Sequence, residues 1–469
     1  MNRIILVGNG FDLAHGLKTS YGSFIEWVCS SFIKNAVNSE DLYFENKVFK
    51  ISCHQRKPSE NPVNSLRDAF LNYTNVNGLK GEELTLNDLI KMRGDKWLKI
   101  IRVSIKWEEK NLLFSDLLER RTTSNWVDIE EIYYKKLKEA AKISSEEQRL
   151  KTIDKLNRDL DIIKELLNEY LLLEENRSSQ QIEAIDNCLY ASCSISDFVD
   201  KDIVNERIEH FIAEFKGNNF RNGYGLDDFY PKLQSYLSKY FYWKNVDYIP
   251  KRDQWKEFLE IDVLEITNEL GLNNSRFKEF FDCLLAPNNI LFLNFNYTTT
   301  TKKYAETKIS IEGKDHIFET NHIHGTLNTE NNIENMIFGY GDELSSNYKE
   351  LEDLNENGVL ENVKSIRYLD TNNYSNLIRF MDSDKYQIYI MGHSCGISDR
   401  TLLNTLFEHD NCVSIKPFYY QWVDNNGNQR DNYREIVQNI SRNFGNKVMM
   451  RSKVVNKEYC QPLPQLETK

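Results

Sequence analysis

A chain of 469 residues exceeds what one simple core holds and points to roughly two or three domains. Forty per cent apolar and 28% charged residues, with 25 Tyr, 25 Phe and only eight Pro, describe an ordinary globular protein without long Pro-rich linkers. The net charge of −12 argues against a chain-wide nucleic-acid-binding surface, while a local basic groove stays open.

The chain start lacks the basic, apolar and cleavage regions of a signal peptide, and no run of about 18 apolar residues suggests a membrane span. The eight cysteines (Cys29, Cys53, Cys188, Cys193, Cys283, Cys395, Cys412, Cys460) are scattered and form no C-x-x-C pair, so they read as buried reduced thiols rather than a zinc site. The expected location is cytoplasmic.

In chain order, Ile4-Ile5-Leu6-Val7 is too short and too β-branched for a helix and predicts a buried strand. Gly8-Asn9-Gly10-Phe11-Asp12 breaks it. Thr19-Ser20 then offers an N-cap to a helix whose apolar residues are Tyr21, Phe24, Ile25 and Val28. From about residue 35 to 284 the pattern is mostly helical. Trp126–Lys142 and Ile153–Glu175 are long charged helices, the second with a stripe of Leu156, Leu160, Ile163, Leu167 and Tyr170. Glu40–Lys80 and Asn176–Asp202 read as connections or short elements. Strand character returns at Asn289–Tyr297, Ile317–His324, Gln387–Met391, Cys412–Ile415 and Val448–Met450, with helices at Arg400–Phe407 and Asp431–Asn443. This alternation predicts an α/β fold: a doubly wound, mostly parallel Rossmann-like sheet built from residues 1–34 and 285–455. Residues 35–284 form a large helical insertion, and 456–469 a C-terminal tail.

Four strand ends carry candidate chemistry. Gly8 and Gly10 lie where a helix N-terminus can meet phosphate, but the dinucleotide fingerprint would need glycine at Leu13, and the third glycine is Gly16. Tight-turn packing alone is the alternative. Asp12 would repel phosphate, so it meets a ribose hydroxyl or caps a turn. Asn294-Phe295-Asn296-Tyr297-Thr298 ends a strand in polar groups that either serve a ligand or cap the turn. His322 and His324 point the same way on a strand, which suits a general base or hydrogen-bonding pair, buried structural histidines, or a metal that lacks a third ligand at useful spacing. Gly392-His393-Ser394-Cys395-Gly396 fits the G-x-S-x-G elbow, with Asp399 and His409 following closely, and Asp399 is also placed as a helix N-cap.

Together these segments resemble the bacterial abortive-infection AbiH family. The resemblance rests on Gly8-Asn9-Gly10-Phe11-Asp12-Leu13-Ala14-His15-Gly16-Leu17, Phe295-Asn296-Tyr297-Thr298, His322-Ile323-His324-Gly325, and Gly392-His393-Ser394 with Asp399; Trp126-Val127-Asp128-Ile129-Glu130 adds to it. More distantly, the order is similar to sirtuin-type domains, whose glycine spacing Gly8, Gly10 and Gly16 match. Their strand-end Asn corresponds to Asn296 before Tyr297, and their catalytic His-Gly to His324-Gly325. The acid of that pattern is replaced by Thr298, Lys18 stands in place of a proline, and the four zinc cysteines of the deacetylases are missing.

The resemblance implies an antiphage NAD glycohydrolase that splits NAD at the nicotinamide–ribose bond, with NAD as substrate and no metal. It implies that Asn296 orients ribose or water and that His324 takes the proton. Cofactor contacts then fall to Gly8, Asn9, Gly10, Phe11, Asp12, Gly16, Thr19, Tyr297, His322, Gly392, His393, Ser394 and Asp399. A phage-derived trigger is the implied partner, no membrane is expected, and nucleic acid and self-association stay open. Two other classes remain: a non-catalytic NAD or ADP-ribose sensor that signals through the helical segment, and a nuclease-type toxin.

Overall fold

The computed structural model describes residues 1–55, 64–70, 97–100, 103–120, 126–177, 180–191, 193, 197–198, 287–304, 309–311, 314–316, 318–330, 333–341, 343 and 346–466. The chain divides into two compact units. One comprises Met1–Gly16, Ser178–Ile323 and Thr371–Lys469; the other comprises Leu17–Arg177 and His324–Asp370.

The first unit is organised by a parallel five-stranded sheet: β1 (Asn2–Val7), β2 (Ile290–Asn294), β3 (Phe318–His322), β4 (Tyr386–Met391) and β5 (Cys412–Phe418). Every pairing is parallel and the spatial order is β5-β4-β1-β2-β3. This is the Rossmann arrangement, in which the chain moves outward from β1 on one side and then on the other. The topological switch therefore lies between β1 and β4.

The near-continuous apolar runs follow from burial on both faces. On one face Ile5, Phe292, Tyr389 and Met391 pack with Phe418, with Ile185 and Leu189 of helix α2 (Glu183–Tyr190) and with Leu463. The alternate residues Ile4, Leu6, Leu291, Leu293, Ile388 and Ile390 are equally buried. Each such side chain contributes about 1.5–3 kcal/mol relative to exposure. The buried Arg3 guanidinium donates to the Leu189 carbonyl at 2.6 Å and lies over the Tyr389 ring at 4.1 Å, which anchors the end of α2 to the sheet. The last described residues also join this unit: Leu463 N donates to Tyr419 O, and Leu466 N to Ala14 O.

Helix α1 (Asn9–Ala14) leaves β1, and α3 (Asn373–Ser383), α4 (Arg400–Glu408) and α5 (Tyr433–Asn443) follow in the later part of the unit. The strand expected at Val448–Met450 is instead a helix, Lys447–Lys453. The Asn446 side chain accepts from the amides of both Val448 and Met449, and this N-cap overrides the β preference of a single Val.

The second unit contains the expected helices at Trp126–Ala141 and Glu146–Glu175, together with Tyr21–Val37, which is capped by Ser20 through a bond from the Ser23 amide. It also holds a four-stranded antiparallel sheet, in the order Tyr43–Glu45, Phe49–Gln55, Val103–Glu109, Trp97–Ile100. Residues 40–80 were expected to be connections or short elements. Yet Phe49, Ile51 and Cys53 alternate with polar residues and are buried, as the inner face of a strand requires. Lys364 and Glu130 form a buried ion pair at 2.8 Å, and Tyr134 stacks on Tyr340. Residues 201–286, including Cys283, and Ile317 lie outside the described residues. No described helix is long and apolar enough to cross a membrane.

Candidate functional site

The carboxyl ends of β1, β2 and β4 meet around the switch point. There, close approach of two turns explains the glycines. Gly8 N donates to Met391 O at 3.4 Å and Gly10 N to Gly392 O at 2.9 Å. A Cβ on Gly8 would lie 2.6 Å from the His393 Cα, and one on Gly10 2.8 Å from the Gly392 Cα. Gly392 itself has φ +80, and its added Cβ would meet Phe11 N at 2.1 Å. Phe11 N donates to Gly8 O. Three amides of the 8–12 segment are thus engaged within the protein. The half-exposed surface of this junction is formed by Asn9, Gly10 and Gly392, with Ser394 exposed beside it.

The end of β2 clamps that turn. The Asn296 Nδ2 donates to the Gly8 carbonyl at 2.9 Å, and the Thr298 hydroxyl donates to Asp12 Oδ2 at 2.6 Å. Asp12, expected at a ribose or a turn, is buried on α1 and accepts the hydrogen bond of the Thr298 hydroxyl. Tyr297 is buried, and the Phe295 ring lies 4.1 Å from that of His393. Behind Asn296 is Asn294. Its Oδ1 accepts from Asn296 N, and its Nδ2 donates to Thr298 O at 3.0 Å and to His322 Nδ1 at 3.2 Å. His322 is half-buried at the end of β3, with its carbonyl accepting from Asn373 Nδ2.

The 392–399 turn has its own internal order. The Cys395 amide donates to His393 Nδ1 at 3.0 Å, and His393 Nε2 lies 3.6 Å from Asp399 Oδ2. Asp399 occupies the N-cap position of α4, but its side chain makes no capping bond there. Cys395 has φ 54, an unusual value for a non-glycine residue, and burial pushes its thiol pKa up. Asn439 Nδ2 and Asn443 Nδ2 of α5 hold the carbonyls of Ser394 and Cys395. His409 faces Asp382 at 3.3 Å while Asp399 faces His393, so Ser394, Asp399 and His409 do not assemble into a hydrolase triad. Among the described residues no group of three or more His, Cys, Asp or Glu side chains converges as a metal site would.

A family model described as bacteriophage abortive infection AbiH matches residues 4–421. The chain belongs to the AbiH family. No curated protein and no solved structure matches it. The matched span of this AbiH-family chain runs from β1 through β5 and contains every residue singled out above as a candidate, from Gly8 to Asp399.

Two candidates of the AbiH-family chain, Thr19 and His324, belong to the second unit; the others belong to the first. Thr19 is buried just ahead of the Ser20 N-cap. His324 is buried, with Nε2 3.2 Å from the Tyr368 hydroxyl, its ring nearly parallel to that of Tyr368, and its carbonyl accepting from Ile337 N. Gly16 follows α1 with φ +78.

Asn294, which the sequence places only among the polar groups ending this strand, organises the β2 end of the AbiH-family chain through its bonds to Asn296, Thr298 and His322. A signal was present, since Asn294 and Asn296 repeat two apart at a strand terminus. His15, part of the opening motif but given no role of its own by the sequence, donates from Nδ1 to Phe11 O at 2.7 Å while its Nε2 accepts from the Tyr304 hydroxyl at 2.6 Å; Tyr304 in turn accepts from Ile182 N. Burial holds the His15 pKa below the usual histidine value, against the raising effect of the bond to Phe11. No sequence signal singles out Tyr304, Asn439 or Asn443.

Proposed function

We propose that this AbiH-family protein acts in antiphage abortive infection by binding NAD at the switch point of its parallel sheet and hydrolysing the nicotinamide–ribose bond. The observation that supports this most is the β5-β4-β1-β2-β3 order, with Gly8, Asn296, Gly392 and His393 gathered where β1 and β4 diverge. Doubly wound sheets bind nucleotides outside the carboxyl ends of their strands at this point. In this reading the phosphates lie over the Asn9–Gly10 turn and the exposed Ser394, and Asn296 orients the ribose or a water with its donor and acceptor groups. The resemblance to sirtuin-type domains assigns His324 the proton. Departure of nicotinamide leaves a cationic sugar that water then captures, so positioning carries much of the rate.

A second reading is a non-catalytic NAD or ADP-ribose sensor. It draws on His324, the residue assigned the proton, which is buried with its Nε2 already 3.2 Å from the Tyr368 hydroxyl. Titration of the full chain with NAD, with nicotinamide quantified in the same sample, separates the two. Binding with nicotinamide release supports the hydrolase, binding without release supports the sensor, and absence of binding with and without phage lysate overturns both.

A further inference from the structure

We infer that Asn443 is a positioning residue: it clamps the Gly392–Gly396 turn with Cys395 in the left-handed region, and that backbone presents Ser394 at the switch point to the phosphates of a nucleotide. The use of Ser394 rests on the nucleotide reading above; the clamp on Cys395 does not.

A left-handed backbone brings the Cβ of an L-residue too close to the following carbonyl oxygen, so outside glycine it is visited mainly by Asn and Asp. Cys395 adopts it, with φ 54. Such a conformation persists only where the surroundings over-determine it. Here three bonds do so. The Cys395 amide donates to His393 Nδ1 at 3.0 Å, and the carbonyls of Ser394 and Cys395 each accept at 2.8 Å from α5, one from Asn439 Nδ2 and the other from Asn443 Nδ2. The Asn439 bond lies at the surface, whereas Cys395 and Asn443 are both 0% exposed.

The Asn443 amide is fixed in turn. Its second Nδ2 hydrogen donates to Asn439 O at 2.9 Å, so both partners of this nitrogen are carbonyls, which only accept. A flipped side chain would lose both bonds and set oxygen against oxygen, and at this depth water offers no substitute. Within the turn, His393 and Cys395 are buried and Ser394 between them is exposed. The backbone of His393 is packed on Gly8, where an added Cβ would lie 2.6 Å from the His393 Cα. A change of φ at Cys395 turns over the peptide that joins it to Ser394. Loss of the left-handed conformation therefore moves the serine hydroxyl away from this junction.

The test uses the full chain and two readouts. Iodoacetamide labelling of Cys395, located by peptide mass mapping, reports the turn without any nucleotide. The thiol is protected in the wild type and reacts on the order of tenfold faster or more in Asn443→Ala. ADP-ribose titrations report the use of Ser394. Cys395→Gly and Cys395→Ala both remove the thiol, but only glycine takes the left-handed region without steric cost. With Asn443 present, the two variants bind ADP-ribose within about threefold of each other. In the Asn443→Ala background, Cys395→Gly binds on the order of tenfold tighter than Cys395→Ala, because affinity falls with the fraction of chains holding the competent turn. Merely structural damage from Asn443→Ala would be shared by the two. Unchanged labelling in Asn443→Ala, or equal affinity of the two double variants, would overturn the inference. Should Asn443→Ala fail to fold, recovery of soluble protein by Cys395→Gly but not by Cys395→Ala upholds the clamp, and failure of both overturns it. Faster labelling in Asn443→Ala without ADP-ribose binding by the wild type upholds the clamp and overturns the role of Ser394 together with the nucleotide reading.

Discussion

The side-chain amide of Asn296 donates to the carbonyl of Gly8 at 2.9 Å. One hydrogen bond thus joins the polar end of β2 to the turn that leaves β1, and the segments concerned are almost 300 residues apart in the chain. Because the Gly8 carbonyl also accepts from Phe11 N, loss of the Asn296 amide leaves that oxygen partnered. Asn296→Ala is therefore expected to reduce stability by only about 0.5–1.5 kcal/mol. Thermal melts of the variant should show a single transition a few degrees lower, roughly as such a change produces. Loss of the folded transition would mean that Asn296 is a structural residue first.

The Gly392 turn separates backbone strain from close approach. Gly392 and Gly427 share φ +80, but nothing lies within 4 Å of a Cβ added to Gly427, whereas one on Gly392 meets Phe11 N at 2.1 Å. Gly427→Ala should cost about 1–2 kcal/mol, the cost of a left-handed non-glycine residue. Gly392→Ala should cost far more and collapse the soluble yield. Equal melting temperatures for the two variants would show that the junction of the β1 and β4 turns is loose.

His15 should make the protein acid-sensitive. Its folded-state pKa lies below the unfolded value of 6.5, chiefly through burial. The unfolded chain therefore takes up the proton first, and stability is present in full above that value and is lost as pH falls through the folded pKa. Melting temperatures compared at about pH 7.5 and about pH 5.5 should drop, and the drop should shrink in His15→Gln even though that variant is less stable at neutral pH. An identical pH response in both proteins would place the acid sensitivity elsewhere.

The buried pair Lys364–Glu130 is expected to act as a unit. Glu130 also accepts from Gly339 N at 3.3 Å. Lys364→Met leaves a buried carboxylate without its ammonium and should cost about 3–5 kcal/mol in denaturant unfolding; adding Glu130→Gln should recover part of that loss. Additive losses in the double variant would show that the pair is not coupled.

Much of the sheet was legible because three of its strands are largely apolar runs that meet Gly or Asn at a carboxyl edge. Val7-Gly8, Met391-Gly392 and Leu293-Asn294 are examples, and their parallel order followed from the intervening helices. The antiparallel sheet of the second unit was harder, because Phe49–Gln55 alternates over only a few residues amid charged helices. Val448–Met450 misled because a local apolar run carries no information about whether a strand edge is available, and Asn446 decided for helix. At the site, residue types at strand ends were visible, but their couplings were not. The bonds from Asn439 and Asn443 to the 394–395 carbonyls, and from Tyr304 to His15, join segments that only tertiary packing brings together.

Hydrolysis of NAD at the switch point is tested by nicotinamide release, measured with and without phage lysate for the wild type, Asn296→Ala and His324→Ala. Under this mechanism the wild-type chain releases nicotinamide and both variants stay at background, each still showing a folded melting transition. Wild-type rates of release in both variants would contradict it.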